Sequence, residues 1–185
     1  VYPVRLSEYL KENPVPGAIL NDPNFGGYLS YHLPRQEIYA DSRYCHAPSV
    51  VEYFQSLTNP ELFMKKLHAT PNLKAALLDV APSLSVVTAL MSSSDWVLVY
   101  ADLLHVLFVK KDISQNRTQK ISIYQNEDFY RTPNLHYMHQ WITLLTQTEK
   151  RENLKKLVAE LSQAHSIPGS LVIRLLEYTF IKKDV

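Results

Sequence analysis

Short apolar runs alternate with helix-like segments along residues 1–110, and no other feature of the sequence constrains the fold as strongly. Residues 96–100 and 104–109 are the clearest strands, and the short gap between them predicts a β-hairpin. Residues 73–80 are apolar enough for a strand that is buried on both faces. Because strands separated by helices favour a parallel arrangement, the pattern predicts an α/β domain. We expect a mainly parallel sheet with helices on both faces and the hairpin as a terminal antiparallel edge.

The other elements follow from local signals. Two shorter strands are predicted over residues 18–20 and 37–40. Helices are predicted over residues 4–10, 25–33, 49–57, 60–68 and 84–91. Pro14-Val-Pro-Gly17 ends the first helix, and Pro60 suits the first turn of the fourth helix.

A change of composition follows the hairpin. Residues 1–110 are predicted to form the α/β domain, residues 111–120 a polar linker or exposed loop, and residues 121–185 a helical extension. Three apolar sets at helical spacing indicate this extension: Met138, Trp141, Ile142 and Leu145; Leu154, Leu157, Val158 and Leu161; and Val172, Leu175, Leu176 and Phe180. The extension is expected to pack on the α/β domain or on itself.

Composition and missing motifs exclude several classes of function. A formal net charge of +1 excludes nucleic-acid binding driven by bulk positive charge. The single cysteine, Cys45, excludes an internal disulfide and a cysteine-based zinc site. The stretch over residues 80–94 contains no charged residue, but it is too short and too polar to span a bilayer. The motifs of dinucleotide-binding, P-loop, α/β-hydrolase and HExxH zinc enzymes are all missing. No cofactor and no catalytic residue is therefore predicted, and enzyme activity stays open.

Three weaker signals carry no prediction of a site. His136 and His139 have helical spacing for a shared metal, but no third ligand is indicated nearby. The adjacent Cys45 and His46 point apart in any regular element, so one does not easily activate the other. Asn116-Arg-Thr118 matches a glycosylation sequon, which matters only in a eukaryotic secretory protein.

Polar clusters follow the two short strands over residues 18–20 and 38–40. Because the carboxyl ends of parallel strands line one crevice, these clusters are expected to meet. Gly26 and Gly27 would allow close backbone approach at a helix start, and Arg43 could hold a phosphate or carboxylate. The alternative is that these polar residues have a structural role, in which Asp41 and Arg43 bond to the loop backbone and Asn21 caps a helix. The residues concerned are Asn21, Asp22, Asn24, Gly26, Gly27, Tyr28, Asp41, Ser42 and Arg43.

The order and spacing of several motifs resemble a known family. The motifs are Tyr2-Pro3, Pro16-Gly17-Ala-Ile-Leu-Asn21, Gly26-Gly27-Tyr28-Leu29, Asp41-Ser42-Arg43, the buried strand over 73–79, Trp96-Val-Leu-Val-Tyr-Ala-Asp102 and Val106-Leu-Phe108. Together they resemble the region after the last membrane span of bacterial GT-C-like membrane glycosyltransferases. Phe25 stands where that family usually has Trp, and Ser42 where it has Gly. The resemblance covers residues 2 to about 110, and it adds Asp102 to the candidate ligand-binding residues.

The resemblance implies a non-catalytic role. Such a domain would face the periplasm on the extracytoplasmic side of a bacterial membrane, attached to its own N-terminal membrane helices, and the chain starting at Val1 would be a piece of a larger protein. It would be an accessory domain that binds or positions a glycan, a lipid-linked sugar or a protein partner. Two alternatives remain: a protein-interaction module that uses the C-terminal helices, and a free-standing enzyme acting on a sugar or phosphorylated substrate near Asp41 and Arg43.

Overall fold

A computed structural model describes residues 2–41, 43, 48–80, 82–102, 104–115, 117, 120 and 121. Its elements in chain order are α1 (Val4–Glu12), β1 (Ala18–Leu20), α2 (Pro23–His32), α3 (Pro48–Leu57), α4 (Pro60–Ala69), β2 (Leu73–Asp79), α5 (Leu84–Ser92), β3 (Trp96–Ala101), β4 (His105–Lys110) and β5 (Lys120–Ile121). A 3-10 turn over Lys111–Ile113 follows β4. From residue 122 onward the predicted helical extension, which includes His136 and His139, lies outside the described residues. Cys45 and His46 also lie outside them.

Proline and capping side chains determine where α2 and α4 begin. Asp22 caps α2, its carboxylate accepting from the Asn24 N–H at 2.8 Å. Asn59 caps α4 and accepts from the Leu62 N–H at 3.1 Å. Each helix starts with proline, whose missing N–H would have no intrahelical partner at that position. Helix α4 therefore begins as predicted, whereas α2 begins two residues before the predicted Phe25 because Pro23 belongs to its first turn.

The sheet is mixed, so the prediction of a mainly parallel sheet was wrong. The strand order is β1-β2-β4-β3-β5. The pairs β1/β2 and β3/β5 are parallel, and β4 runs antiparallel to both β2 and β3. The helix-connected strands β1, β2 and β3 do share one direction, as the alternation of strands and helices predicts. The returning strand β4 is inserted between β2 and β3, which makes the central pairs antiparallel.

The hairpin also occupies a different place from the one predicted. Strands β3 and β4 do form an antiparallel hairpin, but β4 lies inside the sheet instead of at its edge. Its residues His105 to Val109 are all buried. A strand with apolar side chains on both faces buries the most apolar surface when it lies between two neighbouring strands and two helical layers.

The predicted strand over residues 37–40 is reduced to one bridge. Ile38 pairs in parallel with Ile19 of β1. The Tyr39 N–H donates to the Ile19 carbonyl at 2.9 Å, and the Ile19 N–H donates to the Glu37 carbonyl at 2.9 Å. The segment therefore still runs alongside β1 in the same direction, and its carboxyl end lies at the same edge of the sheet.

Helices cover both faces of the sheet, as predicted. Strand residues alternate between two apolar clusters: in β2, Leu77 belongs to one and Leu78 to the other. Helices α3, α4 and α5 supply the first layer through Tyr53, Leu57, Phe63, Leu67, Val86, Val87 and Leu90. Helices α1 and α2 supply the second through Leu6, Tyr9, Leu10, Phe25 and Leu29. Within the described part of the chain, no helix combines the length and apolar character needed to cross a bilayer.

The segment after β4 contacts the residues that follow α1. The Arg117 guanidinium donates to the Asn13 carbonyl at 2.8 Å and also to the Pro14 carbonyl. Strand β5 then pairs with β3. The division of the chain at residues 110 and 120 stays a prediction.

Candidate functional site

Residues of several elements meet at the edge of the sheet where β1 and β2 end. Asp79, the last residue of β2, lies opposite His105, the first residue of β4. Asp102 follows β3 at the same edge, and Asn21 and Asp22 follow β1. The antiparallel direction of β4 brings its beginning, not its end, to this edge.

Asn21 connects the two predicted polar clusters, and it does so with its own side-chain hydrogen bonds instead of through a bound ligand. Its side-chain N–H groups donate to the carbonyls of Ala40, at 2.7 Å, and Asp22, at 2.8 Å. Its side-chain oxygen accepts from the backbone N–H groups of Tyr39, at 3.1 Å, and Ala40, at 3.2 Å. An amide offers two donors and one acceptor oxygen with two lone pairs, so these bonds use its full capacity. Asn21 is therefore a buried clamp between β1 and the segment before Asp41.

Asp22 is a helix cap whose carboxylate is almost buried. Burial raises its pKa, and the bond from Asn24 and the nearby His105 oppose this rise in part. Asn24 itself is exposed and contributes its backbone N–H.

Gly26 and Gly27 have different surroundings, although they are adjacent. A Cβ at Gly26 would lie 2.5 Å from the Cα of Asp41 and closer still to the carbonyl oxygen of Ala40. A Cβ at Gly27 would lie 3.7 Å from Nε of Arg43, an ordinary contact. Gly26 thus lets α2 pack directly on the backbone of residues 40–41, and Gly27 lies beneath the Arg43 side chain.

Asp41 holds Arg43 in place. The Arg43 backbone N–H donates to Oδ1 of Asp41 at 3.0 Å, and the guanidinium donates to Oδ2 through Nε, at 2.8 Å, and through Nη2. These bonds hold the pKa of Asp41 below its usual range. The Arg43 side chain is 63% exposed and that of Asp41 only 10%. The pair therefore presents its positive partner to solvent. Ser42, between them, lies outside the described residues.

Asp102 closes the turn between β3 and β4. Its Oδ1 accepts from the N–H groups of Leu104, at 2.8 Å, and His105, at 2.7 Å, and its Oδ2 accepts from the Tyr100 hydroxyl at 2.8 Å. Burial alone would raise the pKa of Asp102, but these bonds and the nearby His105 imidazole lower it. Burial and the Asp102 charge raise the pKa of Tyr100. Both carboxylate oxygens are thus engaged in the turn.

The sequence reasoning missed His105 and Tyr53 at this edge. The His105 Nδ1 lies 3.4 Å from Oδ1 of Asp102, and its buried Nε2 has no hydrogen-bond partner among the described residues. The buried Tyr53 hydroxyl also has no partner in the part of the chain that the structure describes. Burial and the charges of Asp22 and Asp79 raise the pKa of Tyr53. The sequence does contain one signal for His105, because it is a polar residue at the start of an otherwise apolar strand.

Replacing Tyr53 with phenylalanine is expected to leave the free energy of unfolding unchanged or to raise it by up to about 1 kcal/mol, because a buried hydroxyl without a partner costs stability. Replacing Tyr100 with phenylalanine is the matched control and should lower it by roughly 1–2 kcal/mol, because the bond to Asp102 is lost. Urea unfolding of each variant measures both changes. A clear loss of stability in Tyr53→Phe would contradict the expectation.

Tyr28 belongs to a row of aromatic rings on the outside of α2. Its ring lies parallel to that of Tyr2, with centroids 5.0 Å apart, and 4.2 Å from the His32 ring. The Tyr31 ring meets His32 edge-on at 5.0 Å. Tyr28, Tyr31 and His32 lie on the same helix as Gly27, the residue beneath the Arg43 side chain.

No match was found among models of protein families, curated proteins or solved structures. Within the described residues, no group of three or more His, Cys, Asp or Glu side chains is arranged to hold a metal ion. What the site presents to solvent is a fixed arginine, the exposed Asn24 and the aromatic row. These groups suit recognition of an anionic polar ligand.

Proposed function

We propose that this chain is an extracytoplasmic accessory domain of a bacterial glycosyltransferase-like membrane protein, and that it binds an anionic glycan or a lipid-linked sugar without catalysing a reaction by itself. One observation carries the binding role: Arg43 is fixed by Asp41, is 63% exposed and lies over Gly27. A guanidinium held in one orientation loses little freedom when a phosphate or carboxylate binds to it.

The motifs that carry the resemblance support the position of the binding site in the fold. Gly26, Gly27, Asp41 and Arg43 come from two separate motifs, and they contact one another at the end of β1. The membrane attachment and the periplasmic location rest on the resemblance alone. Reading the gene upstream of Val1 tests them, because predicted membrane spans there would support the accessory role and a start codon nearby would favour a free-standing enzyme.

The absence of catalysis is proposed from two of the acid and base groups at this end of the sheet, Asp102 and His105. The Asp102 carboxylate is engaged in the β3–β4 turn, and Nε2 of His105 has less than 1 Å² of exposed surface. A general acid or base must reach the substrate within hydrogen-bonding distance. Neither group meets that requirement in this conformation.

Arg43→Ala is expected to weaken binding of a sugar 1-phosphate by roughly 10- to 100-fold, the loss that charge-assisted hydrogen bonds to one arginine predict. Isothermal titration calorimetry of the 185-residue chain measures the affinity. Arg35→Ala, an exposed arginine in the loop after α2, is the matched control and should bind like the wild type. Equal affinity of wild type and Arg43→Ala, or no binding of any sugar phosphate by the wild type, would overturn the binding proposal.

One observation favours the alternative of a protein-interaction module. Val51, Phe54 and Leu62, on helices α3 and α4, are large apolar residues that are between 43% and 50% exposed. Helices α3 and α4 contact each other, and large exposed apolar side chains on neighbouring elements are typical of interaction sites. This surface differs from the C-terminal helices of the predicted interaction module, which lie outside the described residues. Binding of a partner that Phe54→Ala abolishes and Arg43→Ala leaves intact would support this alternative.

A further inference from the structure

Three rings of α2 and the ring of Tyr2 form an ordered set on the surface. Tyr2, Tyr28, His32 and Tyr31 follow one another, each contacting the next at a centroid distance between 4.2 and 5.0 Å. Tyr28 is held between Tyr2 and His32, and its hydroxyl lies 3.4 Å from the Ser7 hydroxyl of α1. The rings at the two ends are the most exposed, Tyr2 at 60% and Tyr31 at 81%. We call these four residues the aromatic row.

The composition of this face restricts what it can bind. Helix α2 contains no lysine, arginine, aspartate or glutamate, and its apolar residues Phe25 and Leu29 are buried. An interfacial membrane helix needs aliphatic or Trp and Phe side chains on one face and cations on the other. A helix that docks in a protein groove needs apolar anchors at i, i+3, i+4 and i+7. The aromatic row presents rings with polar edges and satisfies neither requirement.

We propose that the aromatic row binds the ring of a saccharide whose anionic group is held by Arg43, an inference that rests on the proposed function and names its ligand class. A pyranose has a face of C–H groups that packs on an aromatic ring, and its hydroxyls bond to the polar edges of tyrosine and histidine. A saccharide therefore matches both the apolar faces and the polar edges of these rings.

The spacing along α2 between the position beneath Arg43 and the exposed ring of Tyr31 fits one sugar unit with its phosphate. Gly27, which lies beneath Arg43, and Tyr31 are four residues apart on α2. At a rise of about 1.5 Å per residue they are separated by about 6 Å along the helix axis. Tyr28 lies between them in sequence and is already fixed by its neighbours. Prior ordering of the rings reduces the conformational entropy lost on binding.

The experiment compares ligands that share the phosphate and differ in the ring. Calorimetric titrations of the full chain use a panel of pyranose 1-phosphates, glycerol 3-phosphate and inorganic phosphate, with anionic phospholipid vesicles as a separate arm. At least one pyranose 1-phosphate is expected to bind about tenfold or more tightly than glycerol 3-phosphate. Tyr31→Ala and Tyr2→Ala are each expected to lose roughly 2- to 10-fold of that affinity, the contribution of one ring contact. His68→Ala, an exposed ring on α4, is the control and should change nothing.

The outcomes separate this inference from the proposed function. Equal binding of glycerol 3-phosphate and every sugar phosphate, lost in Arg43→Ala and unaffected by the tyrosine variants, would overturn the saccharide ring and leave the anion site intact. No binding of any phosphate ligand would overturn both. Binding to vesicles that Tyr31→Ala abolishes, without sugar binding, would identify the aromatic row as a lipid-contacting surface instead.

Discussion

Gly26→Ala is expected to lower the free energy of unfolding by about 2–3 kcal/mol, as overpacking against rigid atoms does. The new Cβ would lie 2.5 Å from the Cα of Asp41 and closer to the Ala40 carbonyl oxygen. Both are backbone atoms, so no rotation of a side chain relieves the contact. Either α2 or residues 40–41 must shift, and the Asn21 bonds to Ala40 are lost or distorted. Because Arg43 follows this segment, the variant should also bind the sugar phosphate more weakly.

Gly27→Ala is the matched control, one residue away on the same helix. Its Cβ would make an ordinary contact at 3.7 Å with Arg43. Alanine is better than glycine in a helix interior, so this variant is expected to be more stable by about 0.5–1 kcal/mol. Urea unfolding of the two variants measures the difference. Similar stability of both variants would contradict the close packing of α2 on residues 40–41.

Asp102→Ala is expected to lower the free energy of unfolding by about 3–5 kcal/mol, because it removes one partner of a buried charged network. The Tyr100 hydroxyl and the N–H groups of Leu104 and His105 lose their acceptor while staying buried. A change of this size lowers the melting temperature by on the order of 10 °C in a chain of this length. Asp95→Ala, an exposed aspartate at the other end of β3, is the control and should cost little.

The effect of Asp102 should also depend on pH. Its pKa is lower in the folded protein than the unfolded value of about 3.9. The stabilisation from its charge is therefore fully present above that unfolded value, and it is lost as the pH falls through the lower folded pKa. The difference in the free energy of unfolding between wild type and Asp102→Ala, measured by urea unfolding, should shrink as the pH falls below about 4. A difference that grows as the pH falls below about 4 would contradict the assigned hydrogen bonds.

The strand directions could be predicted from the sequence, but the strand order could not. Each helix between β1, β2 and β3 indicates that the next strand runs the same way, and this holds. The position of β4 depends on which neighbour its apolar faces bury best. The choice between the edge and the space beside β2 is made by side chains far away in the sequence. A pattern of residues within β4 does not contain that information.

In the candidate site, too, one part could be predicted from the sequence and another part could not. The polar clusters after β1 and after residue 40 do meet, as the rule for parallel strands predicts. Yet Asn21, Asp22 and Asp102 use their side chains to bond to the backbone, so these three expected ligand-binding residues have structural bonds instead. His105 and Tyr53 reach the same edge only because β4 is antiparallel and α3 packs on the opposite face.

The sequence by itself determined the helices between residues 4 and 92, the hairpin, the proline at the start of α4 and the motifs that meet at the end of β1. These depend on local periodicity, turn residues and capping hydrogen bonds, whose partners lie within a few residues. Only the tertiary structure decided the mixed strand order, the exposure of Arg43 over Gly27 and the assembly of Tyr2 with the rings of α2. Those features depend on contacts between distant segments, and such contacts form only when the whole core packs.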